Sequence, residues 1–104
     1  MLRKTNRLRK LEQARWSILT PKLDKCFVCD NPKDDIHEIY GGANRVQSIK
    51  HGFCLPLCRQ HHRKITNDAD MDKFLKRMCQ QKFEETHSRD EFMSIIGKNY
   101  LDIG

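Results

Sequence analysis

The segment Cys54-Leu55-Pro56-Leu57-Cys58-Arg59-Gln60-His61-His62 decides how the chain is read, because it answers Cys26-Phe27-Val28-Cys29 nearer the N-terminus. Cys26 and Cys29 are spaced C-x2-C, and Cys58 and His61 are spaced C-x2-H. Tetrahedral zinc takes four soft ligands delivered as two such closely spaced pairs. The 28 residues between the pairs exceed the spacing of short zinc ribbons, and the excess is what a β-hairpin between two knuckles would occupy. His62 is then left over. A second imidazole beside a structural ligand can serve a different, functional ion, so the spacing suggests two sites of different purpose.

A chain of 104 residues that is 38% hydrophobic and 33% charged is enough for one domain with a small core. A structural zinc, worth an apparent ~10–16 kcal/mol in small zinc-finger peptides, is the expected staple. The five cysteines are an odd number. The charged N-terminus is not followed by the apolar run of a signal peptide, and no segment reaches the ~20 apolar residues of a membrane span. Reduced thiols in a cytoplasm, and metal binding in preference to disulfides, are therefore expected.

The net charge of +6 is concentrated. Residues 1–25 carry Arg3, Lys4, Arg7, Arg9, Lys10, Arg15, Lys22 and Lys25 against Glu12 and Asp24, while the other 79 residues balance. Such a run suits neutralisation of nucleic-acid phosphates without base readout; as a charge run alone it is equally compatible with a solvated helix face.

Three regions are expected: a basic helical arm over 1–25, a zinc-stapled core over 26–68, and C-terminal helices over 69–104 packing on that core. Residues 3–19 are good helix formers with Leu8, Leu11, Ile18 and Leu19 on a loose stripe, ended by Pro21. Trp16 within that pattern is expected to dock on the domain. Asp34–Tyr40 is expected as a first strand broken by Gly41-Gly42, residues 44–52 as a loop or short helix, and 53–57 as a second strand with Pro56 tolerated at an edge. Cys54 is out of phase with the ligand pair and is expected in the core. A helix opening at Cys58 carries His61 and His62 about 100° apart, so that they face different ions. Met71, Phe74, Leu75, Met78, Cys79 and Phe83 mark a core-facing helix. Ser88-Arg89-Asp90-Glu91 is a capping box for a last helix stopped by Gly97, with His87 solvated before it.

The order C-x2-C, then His37-Glu38-Ile39-Tyr40-Gly41-Gly42, then Leu57-Cys58-x2-His61-His62, resembles the HNH endonucleases, in particular small phage and prophage members with a structural zinc. The resemblance covers roughly residues 26–67. It implies an α+β fold built on a ββα-metal unit with zinc knuckles and flanked by helices. It also implies hydrolysis of DNA phosphodiester bonds with a catalytic Mg²⁺, Mn²⁺ or Ni²⁺ beside the structural Zn²⁺, and a bacterial host cytoplasm reached by a phage or prophage gene. DNA is the implied partner, with a homodimer or phage recombination or replication proteins as further ones. His37 or Glu38 would be the base: strict register makes His37 the ligand and Glu38 the base, whereas an imidazole, with an ordinary pKa near 6.5, suits activation of water. His62 and Glu38, with Asn67 or Asp68 as a third ligand, would hold the cation, and Arg45 and Lys50 would join Arg3, Lys4, Arg7, Arg9 and Lys10 on the DNA backbone. Phe53 stands where the family has a bracing Asn, so Asn44 or His51 would have to brace. The rival reading is a zinc-stabilised DNA-binding module without catalysis. A protein-interaction adaptor would leave the basic arm without a purpose.

If the arm holds phosphates, removal of residues 1–15 weakens DNA binding and flattens the plot of log affinity against log salt by about 0.9 per lost contact. Titration of the truncated protein at several salt concentrations checks this; an unchanged slope assigns the arm to docking.

Overall fold

The computed structural model describes residues 6–101. Helix α1 (Asn6–Gln13) is followed by an irregular segment, strand β1 (Asp35–Glu38), a 3-10 turn (Gly42–Asn44) running into α2 (Arg45–His51), strand β2 (Cys54–Leu57), and helices α3 (Arg59–Thr66), α4 (Ala69–Phe83) and α5 (Arg89–Ile96). The fold is a small α+β arrangement. Its sheet is the antiparallel pair β1–β2, with His37 opposite Leu55 and Glu38 opposite Cys54. No described helix is long and apolar enough to cross a membrane.

The strands are short because each is cut off by chain chemistry. Gly42, at φ 59°, turns the chain out of β1. Gly52, at φ 75°, ends α2 in the left-handed conformation and feeds β2. Pro56 costs the sheet nothing: it faces Ile36 in the pair, and its carbonyl on the free side accepts from the Phe27 N–H at 2.8 Å. Phe27 belongs to the Cys26–Cys29 turn, so this bond fastens the turn to the edge of the sheet.

The expected helix over 3–19 is shorter than its propensity. Regular helix stops at Gln13, well before Pro21, because the following residues find better partners on the hairpin. Ser17 Oγ donates to the Cys54 carbonyl at 2.6 Å, and the Ile18 N–H donates to the Gly52 carbonyl at 2.9 Å. Continuing the helix would forfeit both. Trp16 docks as expected, its ring over Gly52 and its Nε1 donating to the Lys50 carbonyl at 3.3 Å.

Phe53 is the centre of the core. It is fully buried and packs edge-on against Tyr40 and Phe83, with centroids 5.4 Å apart in both cases, and at a tilt against Phe92. Ile39, Leu55, Leu57, Ile65, Leu75, Cys79 and Ile96 join this cluster, and Cys54 is fully buried beside the Ser48 carbonyl. Burial pushes the Cys54 thiol up to about 12, which keeps it protonated and makes it a small hydrophobe, as expected. Helix α5 has the capping box read from the sequence and ends at Gly97, φ 85°. His87 is on the surface, as expected, with one face of its ring lying flat on Phe83 at 4.1 Å.

A Cβ at Gly52 would stand 2.9 Å from Trp16 Cδ2 while the backbone stays left-handed. Gly52→Ala therefore costs about 1–2 kcal/mol for the backbone alone, plus the displacement of Trp16. Thermal unfolding of Gly52→Ala, Trp16→Ala and the double variant checks this: the double is expected to lose less than the two singles together.

Candidate metal centre and the histidine face beside it

Two separated pieces of chain build the Cys/His cluster. In the first, the Cys26 N–H donates to the Asn31 carbonyl at 2.7 Å, the Asp30 N–H returns to the Cys26 carbonyl at 3.0 Å, and Asp30 takes φ 63°. An Asp tolerates that left-handed position better than most residues, and the tight turn puts both thiols on one side. The second piece is the β2–α3 junction. Cys58 is the N-cap of α3 but makes no capping hydrogen bond with its side chain. Asp34 does that work from just before β1, its Oδ2 accepting from the Arg59 N–H at 2.6 Å. Cys58 Sγ is left for the cluster.

The ligand atoms of Cys26, Cys29, Cys58 and His61 lie within 4.8 Å of one another and could hold a metal ion such as zinc. Cys29 Sγ and Cys58 Sγ are 3.8 Å apart; His61 Nδ1 is 3.2 Å from Cys58 Sγ and 3.7 Å from Cys26 Sγ. Two sulfurs each about 2.3 Å from a tetrahedral zinc stand roughly 3.8 Å apart, so the donor set and its spacing fit. The two ligand pairs expected from the sequence are the ones the fold brings together. Burial works against ionisation of Cys26, but the backbone N–H groups around Cys58, Cys29 and Val28 outweigh it and bring the thiol down to about 6. Cys29 moves the other way; despite a backbone hydrogen bond at Asn31, burial and the two neighbouring sulfurs hold its proton on.

A second group sits on the other flank of α3. His37 and His62 meet edge-on with ring centroids 5.2 Å apart. His62 Nδ1 lies 3.4 Å from Asp35 Oδ2, and Asp35 and His37, two apart in β1, share one face of the strand. His37 Nε2 is buried and has no hydrogen-bond partner among the described residues. Burial, with His62 beside it, holds the His37 imidazole below its ordinary value, although Asp72 and Glu38 pull the other way. The ring is neutral at pH 7 and able to accept a proton.

Glu38 does not join this group. Adjacent strand residues point to opposite faces, and its Oε1 accepts from Arg15 Nη2 at 2.8 Å and Arg45 Nε at 3.0 Å on the far side. A role for Glu38 as base or cation ligand beside His62 therefore has no geometric support. Asn67 is the exposed C-cap of α3, turned roughly 140° around the helix from His62. Neither expected brace reaches His37: Asn44 Nδ2 donates to the Ile96 carbonyl at 3.0 Å, and His51 stacks on Phe53 at 5.8 Å. Phe53, which stands where the resemblance would put a bracing side chain, is fully buried in the core.

Among the expected phosphate contacts, Arg9, Lys10 and Lys50 are exposed. Arg45 is engaged, with Nη2 on Glu12 Oε2 at 3.0 Å besides its bond to Glu38. Arg3 and Lys4 lie outside the described residues, and Arg7 falls in the first turn of α1. The sequence reading missed Asp35, and it missed Arg59 and Arg63, which are exposed on α3 within about 100° of His62. The signal for the arginines was present in their spacing from His62. That for Asp35 was its two-residue offset from His37.

If the cluster holds zinc, purified protein carries one ion per chain, and Cys29→Ser loses both the ion and the cooperative unfolding transition, since binding energy at such a site is folding energy. Protons compete for the ligands, so affinity falls as pH falls, and more steeply below about 6, where Cys26 also takes a proton. Elemental analysis and chelator titration between pH 5 and 8 check this; zinc-free protein that is fully folded contradicts it.

No solved structure matches the chain. It is 36% identical over 70 residues to the uncharacterized protein YdfU of Escherichia coli (strain K12), a match that covers 65% of this chain and 19% of YdfU, so the chain spans about a fifth of that relative's length. Residues 3–94 match the family described as protein of unknown function (DUF968), and the chain belongs to that family.

Proposed function

We propose that the protein is a metal-dependent endonuclease of the HNH type, which cleaves or nicks DNA phosphodiester bonds from the face shared by β1 and α3. The observation that carries this reading is His37: a half-buried imidazole with an unpartnered Nε2, set against His62 on a helix that the Cys/His cluster fixes to the hairpin. The hairpin followed by α3 has the order that a ββα-metal unit requires.

His37 is the base that takes a proton from the attacking water, and Glu38 is left out of that role by its place across the strand. Asp35 and His62 offer one oxygen and one nitrogen 3.4 Å apart, close to the roughly 3.0 Å between adjacent ligands of an octahedral ion such as Mg²⁺ that keeps most of its waters. A divalent cation there, when bound, supplies Lewis-acid stabilisation of the phosphorane charge and the leaving oxygen. Arg59 and Arg63 flank His62 and would hold the phosphate backbone, aided by Arg9, Lys10 and Lys50. DNA is the partner; a second copy of the chain, or phage recombination or replication proteins, would decide whether one strand or both are cut.

The second reading is a zinc-stabilised DNA-binding module without catalysis. It is favoured by the loss of Glu38 to its arginine partners and by Phe53 in place of a bracing side chain.

Supercoiled plasmid incubated with the protein and Mg²⁺, Mn²⁺ or Ni²⁺ separates the two. Nicked or linear product is expected, with His37→Ala slower by ~10²–10⁴-fold at unchanged zinc content and DNA affinity. His62→Ala is also expected to be slow but partly restored by higher cation concentration, to which His37→Ala does not respond. Retention of DNA without cutting under all three ions leaves the binding module.

A further inference from the structure

Glu12, Arg15, Glu38 and Arg45 form a closed ring of charges between α1, β1 and α2. Arg15 Nη2 donates to Glu38 Oε1 at 2.8 Å and to Glu12 Oε2 at 3.4 Å, and Arg45 reaches Glu38 through Nε and Glu12 through Nη2, both at 3.0 Å. The two carboxylates are largely sheltered, their side chains 14% and 16% exposed, and Arg15 is 21% exposed. The Arg15 pairs are screened less than surface pairs, and Arg45, its own side chain 40% exposed, offers its planar fork to both sheltered carboxylates at once. The ring is neutral, so neither arginine contributes net charge to a phosphate surface.

The ring also holds the C-terminal part of α1, which spans Asn6–Gln13 within the described residues, against the hairpin. Hydrogen bonding beyond α1 turns away to the hairpin. Among the described side chains of α1, the half-buried Leu11 and the Glu12 carboxylate inside the ring face the domain. Two exposed cations, Arg9 and Lys10, ride on that helix.

We propose that the ring is a latch that holds the basic arm in a fixed orientation on the hairpin, and that Glu38, with Glu12, is a positioning residue for nucleic-acid binding. The proposal rests on the DNA reading above and specifies how one part of that surface is set. Without the latch the arm's cations remain but must be ordered at each binding event, which weakens binding. Because the same cations meet the same phosphates, the salt slope stays as it was.

The test uses the full chain with Glu12→Arg, Arg45→Glu, and the fourfold reversal Glu12→Arg, Arg15→Glu, Glu38→Arg and Arg45→Glu, which has the wild-type net charge and keeps all four contacts between opposite charges. Zinc content and near-ultraviolet circular dichroism report that the domain is folded in each. Amide exchange of residues 10–14 is expected to accelerate about tenfold or more in each single variant and to return towards wild type in the fourfold reversal. Affinity for a short mixed-sequence DNA duplex should fall about three- to tenfold in both singles and recover in the fourfold reversal. Net charge alone predicts opposite changes, tighter for Glu12→Arg and weaker for Arg45→Glu; that pattern overturns the positioning role. Protected α1 amides in both singles overturn the latch. A wild-type protein that does not retain the duplex defeats the DNA reading itself, and is recognised before any variant is measured.

Discussion

The Cys26, Cys29, Cys58 and His61 cluster is the constraint on which the rest depends. It ties a turn whose large apolar side chains, Phe27 and Val28, stay exposed and so contribute little burial, to the junction between β2 and α3, and the Phe27 to Pro56 backbone bond lies beside it. A two-stranded sheet is marginal in water unless something else packs against it. Here the hairpin is held on one edge by the knuckle and on its face by the aromatic core, so its four-residue strands persist. The same cluster fixes the rotation of α3. With His61 committed to the cluster, His62 can only look towards β1, where it meets His37.

The two faces of β1 then do different work. One carries Asp35 and His37 towards α3; the other carries Glu38 into the ring of charges beneath α1 and α2. The division follows from strand geometry alone, since a side-chain period of two separates neighbours. It makes the dipeptide His37-Glu38 a branching point between the face that meets His62 and an anchoring one. Phe53 marks a comparable choice in the interior, a position given to packing against Tyr40, Phe83 and Phe92. The hairpin is thus braced by hydrophobic contact, while Asn44 is spent on the end of α5.

The cluster was legible in the sequence because ligand spacing is a local pattern with few alternatives, and the same holds for the capping box at Ser88 and the left-handed stop at Gly97. Strand and helix positions from Asp35 to Ile96 follow the apolar periodicity, except that Phe74, read as core-facing, lies 61% exposed on the outer side of α4 while Leu75 and Cys79 are buried. What was not legible depends on long-range partners. The end of α1 is set by bonds from Ser17 and Ile18 to residues over thirty positions away, which propensity cannot register. The fate of Glu38 turned on Arg15 and Arg45 competing for it, and reading His37 and Glu38 as one functional pair overlooked that a strand separates them. Asp35 went unnoticed because its link to His62 crosses from β1 to α3.

The central claim is that a second ion belongs on the His62 face, apart from the cysteine cluster. Anomalous diffraction from crystals grown with zinc and soaked in Mn²⁺ tests it most directly. The expected result is a zinc peak among Cys26, Cys29, Cys58 and His61 and a manganese peak about 2.1–2.3 Å from a His62 ring nitrogen and an Asp35 oxygen, with His37 facing it and not ligating. A zinc peak alone, with no manganese at His62 in crystals that also contain DNA, would contradict it.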